Sequence, residues 1–347
     1  MTLVAGFSMG GPPAFVGDLL TSWKIPTEIS LPTRPTLERH EASDGFFAHG
    51  LAQKLVIVRP YLLVAWAGSV SEAKKLITYL DAELPALYRD MEGKEHALLS
   101  VLDQLPSSLE VVAVILDEEW IRPFCVHTRG FSLGDKRFYL LGSGNETIFQ
   151  FLVRMSEDMP EPDNSEGVAA ISLLINFAGN ALMAQHVSKF GLSESWGGGF
   201  EVVYVTKDGF RKADNILVRC WSLDSEWTLG NVGTSFLMHY EGTTLKLSSF
   251  GNSDRITTIE SWLRKSSVIS RSDLVAEWTV DLFYLAATGQ HICTVQKEFP
   301  WSRSSSRFFF DQGALVGWNM DRSRIEKIVD KIKQRDALSA PFTSSTL

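Results

Sequence analysis

Apolar positions along this chain recur with two different periods, and the switches between them outline the elements. Leu3 to Phe7 and Ala14 to Val16 are short apolar runs. Between them stands Met9-Gly10-Gly11-Pro12-Pro13, whose glycines and prolines favour a turn, so Thr2 to Asp18 is predicted as two strands. From Pro26 to His49 the pattern turns polar and proline-bearing, as expected of an excursion or loop. Strand character resumes at Lys54–Val58 and Tyr61–Trp66, on either side of Arg59-Pro60. The period then changes over Ser71–Leu87, where Ala73, Leu76, Ile77, Leu80 and Leu84 share one helical face. Ser69 and Glu72 form a capping box at its start.

Leu109–Leu116 and Phe138–Leu141 read as buried strands, and Glu157–Gly167 as an acidic loop. Ile171, Leu174, Ile175, Ala178 and Leu182 mark a second helix that runs to about Lys189. Phe200–Val205 and Ile216–Trp221 are predicted to pair, with Lys207-Asp208-Gly209 supplying the turn. Beyond Leu223 the chain is rich in Trp and Ser and irregular, until a late helix places Ile325, Ile328, Val329 and Ile332 on one face. The expected division is therefore 1–222 and a C-terminal extension, 223–347, of mixed strand and helix. Helices do not follow every strand, which argues against a doubly wound parallel sheet and for an α+β chain with two packed sheets and helices outside.

Composition narrows the function classes. With 347 residues, 45% hydrophobic and 21% charged, the chain is expected to be globular. A net charge of -8 argues against a broad nucleic-acid surface. Its longest apolar runs fall short of the ~20 residues of a membrane span, and no basic start of a signal peptide is present. Cys125, Cys220 and Cys293 have no metal-type spacing and suit a reducing compartment, so a cytoplasmic protein without metal or cofactor is expected.

Two candidate nucleophiles stand near the start. Gly6-Phe7-Ser8-Met9-Gly10 matches the G-x-S-x-G elbow of serine hydrolases. That motif needs a strand, a sharp turn and a following helix, and Gly11-Pro12-Pro13 is a poor helix start. The other candidate is Thr2, whose small side chain permits removal of Met1. The freed α-amine, with an ordinary pKa of ~7.7–8.0, can take the proton of the threonine hydroxyl.

Around Thr2 the order of residues resembles the proteasome β-subunit family and its bacterial relatives, over roughly residues 2–222. The family's Asp lies sixteen residues after its threonine, as Asp18 does here. Its lysine stands fourteen residues before an Ala-Gly step, as Lys54 does before Gly68. A Gly-Ser-Gly before a helix recurs as Gly142-Ser143-Gly144, and the closing Gly-Gly, strand, Asp-Gly, strand order recurs from Gly197 to Trp221. An insertion of about twenty residues separates Asp18 from Lys54; the family's Asp and Ser before the Gly-Gly step align with Glu194 and Gly197.

The resemblance implies a four-layer αββα sandwich of the N-terminal nucleophile hydrolases. It implies Thr2 as nucleophile with its amine as base, Lys54 held by Asp18 to lower the proton affinity there, and the Gly68 N–H as oxyanion donor. Ser143 and Glu194 would orient the amine. A threonine-type peptidase or amidohydrolase acting on a peptide or protein follows, self-assembling through its outer helices, with neither nucleic acid nor membrane as partner. Two alternatives stay open, a non-catalytic scaffold or binding subunit and a serine hydrolase using Ser8.

Overall fold

A computed structural model describes residues 2–42, 44–83, 91–117, 121–157, 168–250, 255–263, 275–285, 290–298, 306–311, 314–319 and 321–339. The chain opens with the hairpin β1 (Leu3–Met9) and β2 (Ala14–Asp18). The excursion follows as β3 (Leu20–Trp23), β4 (Glu28–Leu31), β5 (Arg34–Arg39) and β6 (Phe47–Leu51). Next come β7 (Leu55–Arg59), β8 (Leu62–Gly68), α1 (Val70–Glu83), α2 (Met91–Leu102), β9 (Leu109–Leu116) and β10 (Ile121–Val126). β11 (Arg129–Leu133), β12 (Lys136–Gly142), α3 (Asn145–Glu157), α4 (Val168–Ser188), β13 (Phe200–Thr206) and β14 (Gly209–Lys212) complete the first part. The rest comprises β15 (Ile216–Leu223), β16 (Leu229–Glu241), β17 (Thr244–Phe250), β18 (Arg255–Ile259), β19 (Trp278–Leu285), β20 (Gln290–Lys297), β21 (Arg307–Asp311), β22 (Ala314–Asn319) and α5 (Arg322–Ser339). The fold is thus mixed, of the α+β kind.

Strand alternation decides what each sheet face buries. A six-stranded sheet runs β11-β12-β1-β2-β13-β14, and a four-stranded one runs β10-β9-β8-β7. Val4, Phe15, Leu141 and Val203 of the first share a cluster with Leu55, Leu63, Ala65 and Val112 of the second. The intervening residues Leu3, Ala5, Phe7 and Val16 point the other way, into a core with Ile148 and Leu152 of α3 and the apolar length of α4. Val56, Val64, Trp66 and Val111 likewise turn from the shared cluster to Leu76, Ile77 and Leu80 of α1 and Leu98 and Leu102 of α2.

The third sheet, β18-β17-β16-β15-β19-β20, changes the setting of α4. Its Val218, Phe236, Met238, Trp278 and Val280 join the same core as Leu174 and Ala178. α4 therefore lies between two sheets, and a helix buried all round has no use for a polar stripe. By length and composition alone it would pass for a membrane span, but most of it is buried inside the protein. The face of α4 expected to contact other copies is thus covered by the C-terminal sheet.

Several predicted elements are corrected. β13 pairs with β14, not with Ile216–Trp221, across a turn where Gly209 has φ +115° and no room for a side chain beside Pro60 O. Ile216–Leu223 instead lies parallel to β19 and antiparallel to β16. The limit expected at 222 falls within that strand. The Pro26–His49 excursion is not a loop but carries hairpin β4–β5 and strand β6, which pairs β3. α2 was not expected at all. The acidic stretch 158–167 and the helical turn reaching Leu87 lie outside the described residues.

Candidate functional site

Asp18 ends β2, and the register of that strand with β1 and β13 brings its carboxylate under the start of β1. Its Oδ1 accepts from Thr2 Oγ1 at 2.9 Å, from Leu3 N at 2.9 Å and from Lys54 Nζ at 2.7 Å. Its Oδ2 accepts from Gly197 N at 2.8 Å. Four donors on one carboxyl group fix its orientation. Thr2, Asp18 and Lys54 are 1%, 0% and 1% exposed, so this ion pair stands in a medium where charge is costly unless partnered.

Lys54 Nζ also donates to Leu20 O at the start of the excursion, and it sits 5.9 Å from the centroid of the Trp66 ring. Burial holds its proton affinity below the ordinary lysine range, and the charge and hydrogen bond of Asp18, with the charge of Glu201, offset only part of that effect. The arrangement is chemically suited to keep a positive charge beside a threonine hydroxyl and away from water.

The other expected residues are placed less uniformly. Ser143 Oγ lies 2.8 Å from Glu194 O and 3.4 Å from Thr2 O, so its single proton is better placed for Glu194. Gly142, at φ +80°, brings its backbone so close to Thr2 that a Cβ would stand 2.1 Å from Thr2 O. The Glu194 carboxylate turns to Trp196 Nε1 at 2.8 Å and to Thr147 Oγ1 at 3.5 Å. It reaches the neighbourhood of Thr2 through its carbonyl, held by Ser143, rather than through its charge. Gly68 ends β8 at φ +99°, and an added Cβ there would meet Ser108 O at 2.2 Å.

Ser8 does not occupy an elbow. It lies inside β1, 4% exposed and opposite Arg137 of β12, and the next element is strand β2 rather than a helix. The geometry that the serine-hydrolase motif requires is absent.

Three contributors escaped the sequence reading. Gln185 of α4, buried, accepts from Gly198 N at 2.9 Å and from Thr33 Oγ1 at 2.7 Å, tying the glycine run and the excursion to one helix. Glu201 accepts from Lys54 N, Leu55 N and Lys212 Nζ. An acid inside the apolar strand Phe200–Thr206, with Lys212 on the adjacent strand, was the signal available for it. The Gly197 N–H is a backbone group and leaves no side-chain signature.

A cavity of about 490 Å³ opens between α3, α4 and β20, lined by Phe151, Phe177, Phe190 and His291, and Thr2, Asp18 and Lys54 do not line it. Among the described residues no group of three or more His, Cys, Asp or Glu side chains could hold a metal ion.

No protein-family profile matches the chain. A curated protein of Methanobrevibacter ruminantium named proteasome subunit beta is 25% identical over 166 residues, which is 44% of this chain and 79% of that protein. The relationship is proteasome-like at that level.

Proposed function

We propose that this protein is an N-terminal threonine hydrolase whose fold is the αββα sandwich of that class, followed by an extension that begins near residue 223. The observation that carries the reading is the single oxygen Asp18 Oδ1, which receives both Thr2 Oγ1 and Lys54 Nζ and so joins the starts of β1 and β7 to the end of β2. Removal of Met1 frees the α-amine of Thr2. That amine takes the hydroxyl proton as Oγ bonds to an amide carbonyl carbon, and the Lys54 charge favours the deprotonated hydroxyl. The tetrahedral oxyanion is met by the Gly68 N–H, a donor of the kind whose loss costs ~2.7–4 kcal/mol. Collapse breaks the C–N bond, the amine passes its proton to the leaving nitrogen, and water then hydrolyses the Thr2 ester. The substrate is a peptide or other amide.

A second reading, a non-catalytic scaffold, is favoured by one observation. Glu194 spends its carboxylate on Trp196 and Thr147, and Gly197 offers no hydroxyl, so two amine-orienting side chains are missing. Self-association would use α1, which leaves Val70 and Tyr79 exposed, since most of α4 is buried against the two sheets. The three free cysteines suit a reducing, cytoplasmic setting.

Intact mass of the purified chain, before and after a β-lactone probe, tests the proposal. We expect free Thr2, one added acyl group, and none in Thr2→Ala. Retained Met1, or free Thr2 that stays unlabelled and inert toward a broad peptide library, would replace the hydrolase with the scaffold.

A further inference from the structure

Lys54 lies just before the first ladder residue of β7, where a strand end frays unless something ties it. Its backbone is held by a set of contacts distinct from the Asp18 cluster. Glu201, 2% exposed, receives Lys54 N and Leu55 N on Oε1, the latter at 2.7 Å. On Oε2 it receives Lys212 Nζ and, at 3.2 Å, the hydroxyl of Tyr240. Lys212 also donates to Leu55 O and lies 5.4 Å from the Tyr240 ring centroid. One residue earlier, Gln53 Nε2 donates to Thr243 O at 2.8 Å and to Ile259 O at 3.1 Å. Trp66, whose backbone N–H donates to Lys54 O at 3.1 Å, stacks on Trp262 with centroids 5.3 Å apart.

Tyr240, Thr243, Ile259 and Trp262 all belong to the C-terminal extension, on or beside β16–β18. A lysine side chain has four rotatable bonds, and its ammonium group is only as well placed as the backbone it hangs from. We propose that the C-terminal extension is a positioning device for the site: Tyr240, acting through Glu201, and the Thr243 and Ile259 carbonyls, acting through Gln53, fix the start of β7 so that Lys54 Nζ meets Asp18. The proposal rests on the reading of Thr2 and Lys54 as the reacting centre. It gives the extension a role beyond covering α4, and it makes Tyr240 and Gln53 residues that act on the chemistry without touching substrate.

The full chain labelled with [ε-¹³C]lysine tests this, with Lys54 assigned by Lys54→Arg. Tyr240→Phe removes one hydroxyl, Gln53→Met removes at constant length both bonds that the amide donates and the longer one, 3.4 Å, that its oxygen accepts from Lys212 Nζ, and Tyr284→Phe, an exposed position on β19, is the control. The charged groups facing Lys54 are Asp18 and Glu201, with Lys212 and Tyr240 behind Glu201. The three charges among them remain in both variants, so a moved signal reports position. We expect the Lys54 ε resonance and its titration midpoint to move in both variants and not in the control. Exchange of the Lys54 and Leu55 amides should rise about two- to tenfold, the factor one ordinary hydrogen bond carries.

An unmoved Lys54 signal beside a lowered melting temperature would reduce the contacts to structural support and overturn the proposal. Should Gln53→Met fail to fold, Tyr240→Phe alone decides. β-Lactone labelling of the wild-type chain is the independent arm. Unlabelled Thr2 with a moving Lys54 sinks the hydrolase and keeps the clamp, whereas labelled Thr2 with an unmoved Lys54 does the reverse.

Discussion

Replacing Asp18 by Asn keeps the shape of the side chain and removes the charge on which the site converges. In the native protein the carboxylate takes four hydrogen bonds, from Thr2 Oγ1, Leu3 N, Lys54 Nζ and Gly197 N. The amide would keep one oxygen for the first three and set its NH₂ against the Gly197 N–H, donor facing donor. Lys54, 1% exposed, would be left a buried cation without its counter-charge. Breaking a buried pair in this way costs ~3–5 kcal/mol, against ~0–1 for a surface pair. At about 2–4 °C per kcal/mol for a large domain, the melting temperature should fall by roughly 6–20 °C.

The pH dependence carries a sign. Lys54 already has its proton affinity lowered by burial, with Asp18 the chief opposing influence, so losing Asp18 lowers it further. In the window between the folded-state value and the unfolded ~10.4, the unfolded chain binds more protons, so stability rises with pH there. The deficit of Asp18→Asn should be largest at the acidic end of the native range and shrink as pH increases. Urea unfolding of wild type and variant across pH measures it. The double variant Asp18→Asn/Lys54→Met should lose less than the sum of the two single losses, because no charge is stranded. A deficit under about 1 kcal/mol, the surface-pair range, or one that grows with pH, would refute the reasoning.

Thr2→Ala should abolish probe labelling while costing ~1.5–3 kcal/mol in urea unfolding, since the lost hydrogen bond runs between a buried hydroxyl and a buried acid. Gly68→Ala forces a Cβ to within 2.2 Å of Ser108 O at φ +99°, and should destabilise by about 1–3 kcal/mol while slowing labelling at Thr2. In the third sheet, Arg219→Met would strand Asp281, which is 0% exposed and bonds Arg219 through both oxygens at 2.7 and 2.8 Å; a loss of ~3–5 kcal/mol should appear in the urea midpoint. A chain ending at Leu223 strips β16–β20 from α4 and β15, so sedimentation should show aggregate rather than a smaller folded particle.

What the sequence determined by itself was local or counted along the chain. The turn glycines and prolines at 10–13 specified the β1–β2 hairpin, and the helical spacing of Ala73, Leu76, Ile77 and Leu80 specified α1, because period and turn chemistry are properties of a few consecutive residues. The intervals from Thr2 to Asp18 and from Lys54 to Gly68 picked out residues of which three meet on one carboxylate oxygen or beside it. What it left open depended on partners far away in the chain. Ile216–Leu223 carries the same apolar run whether it pairs with β13 or with β19, and only packing against α4 and the third sheet selects between them. The Glu194 carboxylate could be counted into the site but not aimed, since its direction is set by the Trp196 ring and Thr147. Glu201, Gln185 and the Gly197 N–H matter through contacts 11 to 179 residues distant, and no spacing rule reads a hydrogen bond at the long end of that range. Strand pairing and burial decided those, because they bring together groups that the sequence keeps apart.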